Sequence, residues 1–282
     1  MNIFTIGATG YVGRLLHTQA LSIGDAHGTS HLATVDLLQF RLGGANGFDY
    51  QLISPGDLVF LTSAISAPDV CEDNYAGARS INVTATVIFV EQVISRGARV
   101  LFFSTDAVYG ECLVSADEST ATRPSGKYAA MKCEVEDRFA GEACFKSIRL
   151  SYVFSAEDKF TKYLEGCASR SEVAEVFHPF SRAIVHRGDV VDGALALVQR
   201  WKEFPQAVIN FGGPEVVSRL QFAEHFKNIR APLLDYKIFE PDDAFFKNRP
   251  RTIAMKSDIL PALLRRPARS LSEAMSLEFK KA

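Results

Sequence analysis

No apolar stretch among the 282 residues approaches the roughly 20 needed to cross a bilayer, which argues against a membrane-spanning helix. An excess of one charge is equally missing: 31 Lys and Arg face 33 Asp and Glu, a net charge of −2. Such a balance offers no diffuse positive field to nucleic acid or to an anionic membrane surface. Any anionic ligand must therefore be met by a few local cations. Cysteine is sparse and unpaired in pattern. Cys71, Cys112, Cys133, Cys144 and Cys167 are odd in number, scattered, and contain no CxxC, as suits reduced thiols in a cytoplasm rather than a disulfide framework or a zinc site. The six histidines show no ligand spacing, so no metal is expected. A basic leader before an apolar core is also lacking at the N-terminus, and a cytoplasmic protein is expected. What the chain does have is apolar substance, 47% against 23% charged. That is enough for one large domain, or a large one with a smaller lobe.

Strand-like apolar runs alternate with helical patterns through the first two-thirds of the chain. Residues 2–6, 31–36, 57–63, 98–105 and 145–150 read as strands, and 11–23, 78–96 and 126–140 as helices. Strands apolar on both faces, alternating with helices, imply an α/β fold with a doubly wound parallel sheet. Beyond about residue 155 the pattern loosens. Helices are expected at 159–169, 189–201 and 219–226, and the Pro-rich stretch from Pro232 to Pro267 suits a smaller lobe over a ligand.

Three signals carry chemistry. Gly7-Ala8-Thr9-Gly10-Tyr11-Val12-Gly13 follows the first strand and opens a helix. Glycines there permit a tight turn and close backbone approach to a pyrophosphate, which the helix N-terminus attracts. Asp36, expected at the end of the second strand, can bond the adenosine ribose. Ser104-Thr105-Asp106 ends the strand ARVLFFST, and strand C-termini line the ligand crevice of an open parallel sheet. Tyr128 and Lys132 share one face of a helix at i, i+4. An ammonium beside a phenol lowers the phenol's pKa from its ordinary ~10 toward neutrality.

The order of these signals, each on the right kind of element, resembles the extended short-chain dehydrogenase/reductases that act on nucleotide-activated sugars, with a Rossmann-type sheet and a C-terminal substrate-binding lobe. GATGYVG is similar to their cofactor turn, FFSTDAVYG to their active-site strand, and YAAMK to their catalytic helix. LTSAIS, SINVTAT, SIRLSYVF and SRAIVHRGDVVDGAL are similar to further segments, and NRPRTIAMKSDIL resembles the tail of dTDP-4-dehydrorhamnose reductases. The resemblance implies residues 1–155 as the dinucleotide-binding domain, with 178–204 returning to it, and residues 156–177 and 205–282 as the substrate-binding lobe.

It further implies that Tyr128 transfers the proton and Lys132 lowers its pKa, with Thr105, or Ser104 beside it, bonding the reacting oxygen. Gly7, Gly10, Tyr11, Val12, Gly13, Asp36, Ser63, Ala64, Tyr128 and Lys132 would hold the cofactor. Val108, Arg182, Arg249 and Arg251 would meet a nucleotide-sugar substrate, the arginines gripping its diphosphate. Relatives often pair as homodimers through the helices containing Val87 and Cys133. Dehydratases of this kind carry an acid where this chain has Ala107, which leaves reductase and epimerase. The short chain and the NRPR tail favour a 4-keto-sugar reductase, the preferred reading, while the GATGYVG turn and the AVYG ending look more epimerase-like. A nucleotide-sugar epimerase and a non-catalytic binding subunit are the alternatives. The cofactor is NAD(H) or NADP(H). Asp36 favours NAD(H) by repelling a 2′-phosphate, while Arg14 could attract one.

Overall fold

The computed structural model describes residues 1–45 and 47–279. The last residues of the expected lobe, 280–282, lie outside them. Seven parallel strands form the central sheet: β1 (Asn2–Ile6), β2 (Asp25–Ser30), β3 (Leu38–Gln39), β4 (Leu58–Leu61), β5 (Arg99–Thr105), β6 (Phe145–Leu150) and β7 (Val208–Phe211), in the spatial order 7-6-5-4-1-2-3. The order reverses beside β1, where two diverging connections leave a crevice at the strand C-termini. This is the doubly wound, Rossmann-type α/β architecture.

The apolar runs become sheet because both faces are covered. One face carries a core of Ile3, Leu16, Phe60, Leu101, Ile148 and Phe211 under the helices Tyr11–Ala20, Arg187–Gln199 and Leu260–Leu264. The other packs Phe4, Leu61, Phe89, Val93, Phe102 and Val135 under the helices Thr86–Ser95 and Gly126–Arg138. A third core, with Phe154, Leu164, Phe222, Phe226 and Met275, sits in the lobe.

Two expectations are corrected. The second strand is Asp25–Ser30 and not residues 31–36, so Asp36 does not end it and instead lies exposed in the loop toward β3. The sequence DAHGTS hides the strand because it is polar and because Gly28 packs where a side chain cannot: a Cβ there would lie 2.7 Å from Ala8 Cβ. Val208–Phe211 and the helix Leu260–Leu264 belong with the main sheet and its core, whereas Cys112–Ala116 leaves it. That strand edges a second sheet, ordered Val216–Ser218, Ser181–Ala183, Thr252–Met255, Cys112–Ala116. The expected helix at 78–96 is interrupted as well: Tyr75–Arg79 passes through a π-helical turn, Ser80–Ala85, before Thr86–Ser95.

Candidate active site

The helix Tyr11–Ala20 starts directly from the glycine turn with no side-chain cap and no acid in its first turn. Its first N–H groups are thus free for an anion. The lobe helices Lys159–Arg170 and Arg219–Ile229 close their own ends with Asp158 and Ser218. Gly7 adopts φ +97°, and a Cβ on Gly13 would lie 2.2 Å from Gly7 O. The turn therefore admits no side chain at its two ends.

A cleft of about 370 Å³ runs from this turn past Thr62, Ser63 and Ala64 at the end of β4 to Ser104, Tyr128 and Lys132. Tyr11 and Val12 line it too, and Tyr11 Oη is anchored 2.7 Å from Ser155 Oγ. The cofactor residues expected from the sequence converge here, with the exception of Asp36. A dinucleotide fits this arrangement: backbone N–H groups at one end, glycines where substituents would collide, and hydroxyl groups at the other.

The two hydroxyls at the end of β5 are used differently. Thr105 Oγ1 accepts from Ala107 N at 3.2 Å, capping the turn Asp106–Tyr109, and lies 3.4 Å from Asp106 Oδ1. Ser104 lines the cleft, and its buried hydroxyl has no partner among the described residues. Asp106 is buried, accepts from Ser151 Oγ at 2.8 Å, and has its pKa raised by burial.

Tyr128 is partly buried, and its phenol is pushed upward, by burial first and then by the charges of Cys71 and Asp106. This departs from the simple expectation that Lys132 lowers it. Lys132 itself is buried, donates to Phe103 O at 2.7 Å, and lies over the Phe102 ring at 4.3 Å. Its ammonium is 5.8 Å from the centre of the Tyr128 ring. Desolvation depresses its pKa from 10.5 to about 8, against the opposing pull of Glu136 and Cys71. At neutral pH the pair is a neutral phenol and an ammonium ion, a held proton donor beside a positive charge. Because the depressed group loses its charge as pH rises, kcat/KM for the cofactor should be steady below pH 8 and fall above it. A flat profile to pH 9.5 would remove Lys132 from the cofactor.

The expected substrate residues are dispersed. Val108 is fully buried in a small core with Tyr109, Cys133 and Ile253, and its carbonyl accepts from Arg123 N, so its side chain does not face a cleft. Arg249 pairs with Asp69, and Arg251 with Asp243 at 2.5 Å. Arg182 is turned inward. Arg249 instead lines a separate cavity of about 490 Å³ together with Lys159, Glu175, Arg219 and the rings of Phe160, Tyr163, Phe177, Phe180 and Phe245. Sequence reasoning missed Arg219, for a lone arginine at the start of a helix carries no local signal. It also missed Asn82, whose side chain bonds both backbone groups of Ile65 at 2.8 Å and so ties the π-helical turn to the loop after β4. The signal available was a buried polar residue inside an otherwise apolar helical stripe. Among the described residues no three His, Cys, Asp or Glu side chains converge as a metal site.

Comparison with solved structures finds the same fold over nearly the whole chain. A UDP-glucuronic acid 4-epimerase mutant from Bacillus cereus, in complex with UDP-4-deoxy-4-fluoro-glucuronic acid and NAD, aligns at 18% identity and TM-score 0.85, covering 99% of this chain and 98% of that one. TunA, an NAD-dependent NDP-hexosamine 5,6-dehydratase involved in tunicamycin biosynthesis, aligns at 17% and 0.81, covering 99% and 96%. UDP-glucose 4-epimerase from Thermus thermophilus, in complex with NAD, aligns at 17% and 0.79, covering 99% and 98%. No curated protein matches the sequence. The family model described as the RmlD substrate binding domain matches residues 1–279, and with the glycine turn, the Ser104-Thr105 strand end and the Tyr128–Lys132 helix in their places, the chain belongs to that family, of the extended short-chain dehydrogenase/reductase kind.

Proposed function

We propose that this protein is an NAD(H)-dependent oxidoreductase that reduces a 4-keto sugar nucleotide, with Tyr128 as proton donor. The observation that carries the reading is the single cleft joining an uncapped helix N-terminus to Tyr128, Lys132 and an unpartnered Ser104 hydroxyl. When bound, the nicotinamide supplies the hydride. Tyr128, kept protonated by its surroundings, gives its proton to the carbonyl oxygen as negative charge develops there. Ser104, or Thr105 beside it, donates a hydrogen bond to the same oxygen. Lys132 holds positive charge next to the phenolate that Tyr128 leaves behind. Ala107 supplies no acid for eliminating water.

NAD(H) remains the preferred cofactor, on a ground different from Asp36. Arg14, the cation that the sequence offers for a 2′-phosphate, is paired with Glu157 at 2.6 Å, and Glu157 also takes Arg187 at 2.5 Å. Solved structures of the same fold contain NAD. Asp36→Ala should leave the ratio of NADH to NADPH affinity unchanged. Glu157→Gln should release Arg14 and move that ratio several-fold toward NADPH. A ratio that moves with Asp36 and not with Glu157 would reverse the assignment.

The epimerase alternative is supported by two of those neighbours, which are sugar-nucleotide 4-epimerases. One assay separates the readings. A reductase consumes NADH stoichiometrically with a 4-keto sugar nucleotide, an epimerase interconverts two alcohol sugars with no net change at the nicotinamide band, and a binding subunit does neither. A homodimer through the helices Thr86–Ser95 and Gly126–Arg138 accompanies the proposal. Cys133 is buried within the chain, so the pairing face would be built on outward residues such as Ile88 and Glu134. Light scattering giving a single 31.0 kDa species would refute it.

A further inference from the structure

We infer that Arg219, rather than Arg182, grips the diphosphate of the substrate. The inference rests on the nucleotide-sugar reading and sharpens it. Arg182 has its donors committed. Nη1 donates to Ser181 O at 2.7 Å and Arg251 O at 3.3 Å, Nη2 to Pro250 O at 2.7 Å, and Nε faces Asp106 at 3.8 Å. Its side chain is 11% exposed. Reaching a phosphate would strip three carbonyls of a donor and leave the buried Asp106 without its cation, a costly exchange. Arg182 therefore serves the fold, fastening the segment at Pro250 and Arg251 to the strand Ser181–Ala183.

Arg219 has the opposite situation. Its guanidinium is stacked, 4.0 Å from the centre of the Phe160 ring and 4.5 Å from that of Tyr152, and its backbone N–H donates to Phe180 O at 2.9 Å. Both it and Arg182 approach the ring of Phe180, at 5.6 Å and 4.2 Å from its centre. Its side-chain hydrogen bond is a long one, 3.4 Å from Nη1 to Tyr152 Oη, and no carboxylate among the described residues lies within ion-pair distance of it. The helix it begins is closed by the reciprocal bonds of Ser218 and Gln221, so the side chain, not the helix end, addresses the cavity. There it joins Lys159 and Arg249 against one carboxylate, Glu175, among aromatic walls. Arg249 is paired with Asp69, whose side chain is 68% exposed and easily displaced, and makes one long bond, 3.5 Å, to the backbone O of Phe245, whose ring lies beneath its guanidinium. Two or three cations beside an aromatic slot suit a diphosphate joined to a base, and a stacked guanidinium presents a flat fork of N–H donors to phosphate oxygens.

The test is a calorimetric titration of UDP, dTDP and GDP, and of the matching nucleosides, into wild type, Arg219→Gln and Arg182→Lys, with NADH as control. Arg219→Gln should weaken the preferred nucleoside diphosphate at least tenfold, leave its nucleoside and NADH unchanged, and flatten the salt dependence of diphosphate binding. Arg182→Lys should lower Tm while diphosphate affinity changes less than threefold. Unchanged diphosphate affinity in Arg219→Gln overturns the inference. So does a tenfold loss in Arg182→Lys at unchanged Tm, which would return the clamp to Arg182 within an intact nucleotide-sugar reading. If wild type binds NADH but none of the three diphosphates, the substrate reading fails and the inference with it.

Discussion

Tyr128→Phe is expected to bind NADH with wild-type affinity and to lose turnover by about 10²- to 10⁴-fold, the range supplied by a positioned general acid. The substitution removes one oxygen and keeps the ring, so packing against the small core of Cys71, Ala78, Val83 and Met131 survives. The burial that pushes the phenol's pKa up keeps the proton on Tyr128 at neutral pH, so that the proton is present when a carbonyl oxygen gains charge. Lys132→Met should reduce both turnover and cofactor affinity, because one buried ammonium stands near the phenol and lines the cofactor cleft. Ser104→Ala should lower kcat without moving cofactor affinity, since its hydroxyl lines the cleft and has no partner among the described residues. A Tyr128→Phe protein that keeps nearly full rate on the substrate of the wild type would disprove the mechanism.

Gly13→Ala is expected to abolish measurable NADH binding and to destabilise the fold. Its new Cβ would lie 2.2 Å from Gly7 O and 2.8 Å from Thr62 Oγ1. Neither can retreat: Gly7 O accepts from Gly10 N at 3.0 Å, and Thr62 Oγ1 donates to Ile6 O at 2.9 Å. Overpacking of this kind costs about 1–3 kcal/mol, or a Tm loss of several degrees for a chain of this size. Gly10→Ala makes a useful control, for its Cβ would meet only Gly7 O, at 3.2 Å, and its φ of −73° is open to alanine. That variant should keep its Tm while weakening NADH, because the added methyl stands beside the backbone that a pyrophosphate must approach. Calorimetry and a thermal scan check both. Wild-type NADH affinity in a folded Gly13→Ala protein would mean that the turn is structural and the cofactor lies elsewhere.

The fold and half of the site were legible in the sequence because their determinants are local. β1, β5 and β6 are buried on both faces, so their apolar runs announce them. GATGYVG and YAAMK each do their work within one turn or one helix face, where spacing alone sets geometry. β2 was not legible: its residues are polar, and Gly28 and Thr29 are there for close packing and for the bond from Gly7 N to Thr29 Oγ1, which only the assembled sheet creates. Asp36 was displaced with it. The choice between two arginines lies wholly beyond sequence. Arg182 and Arg219 carry the same group 37 positions apart, and what separates them is whether folded neighbours use up the donors or leave them facing a cavity. The sign of the Tyr128 shift is likewise tertiary. Spacing puts an ammonium four residues away, but burial pushes the phenol's pKa up, and the charges of Cys71 and Asp106, distant in sequence, add to that. Residue types and their periods determined which elements form and which chemistry they carry. Burial, a property of the whole chain, decided which of those groups stay free to act.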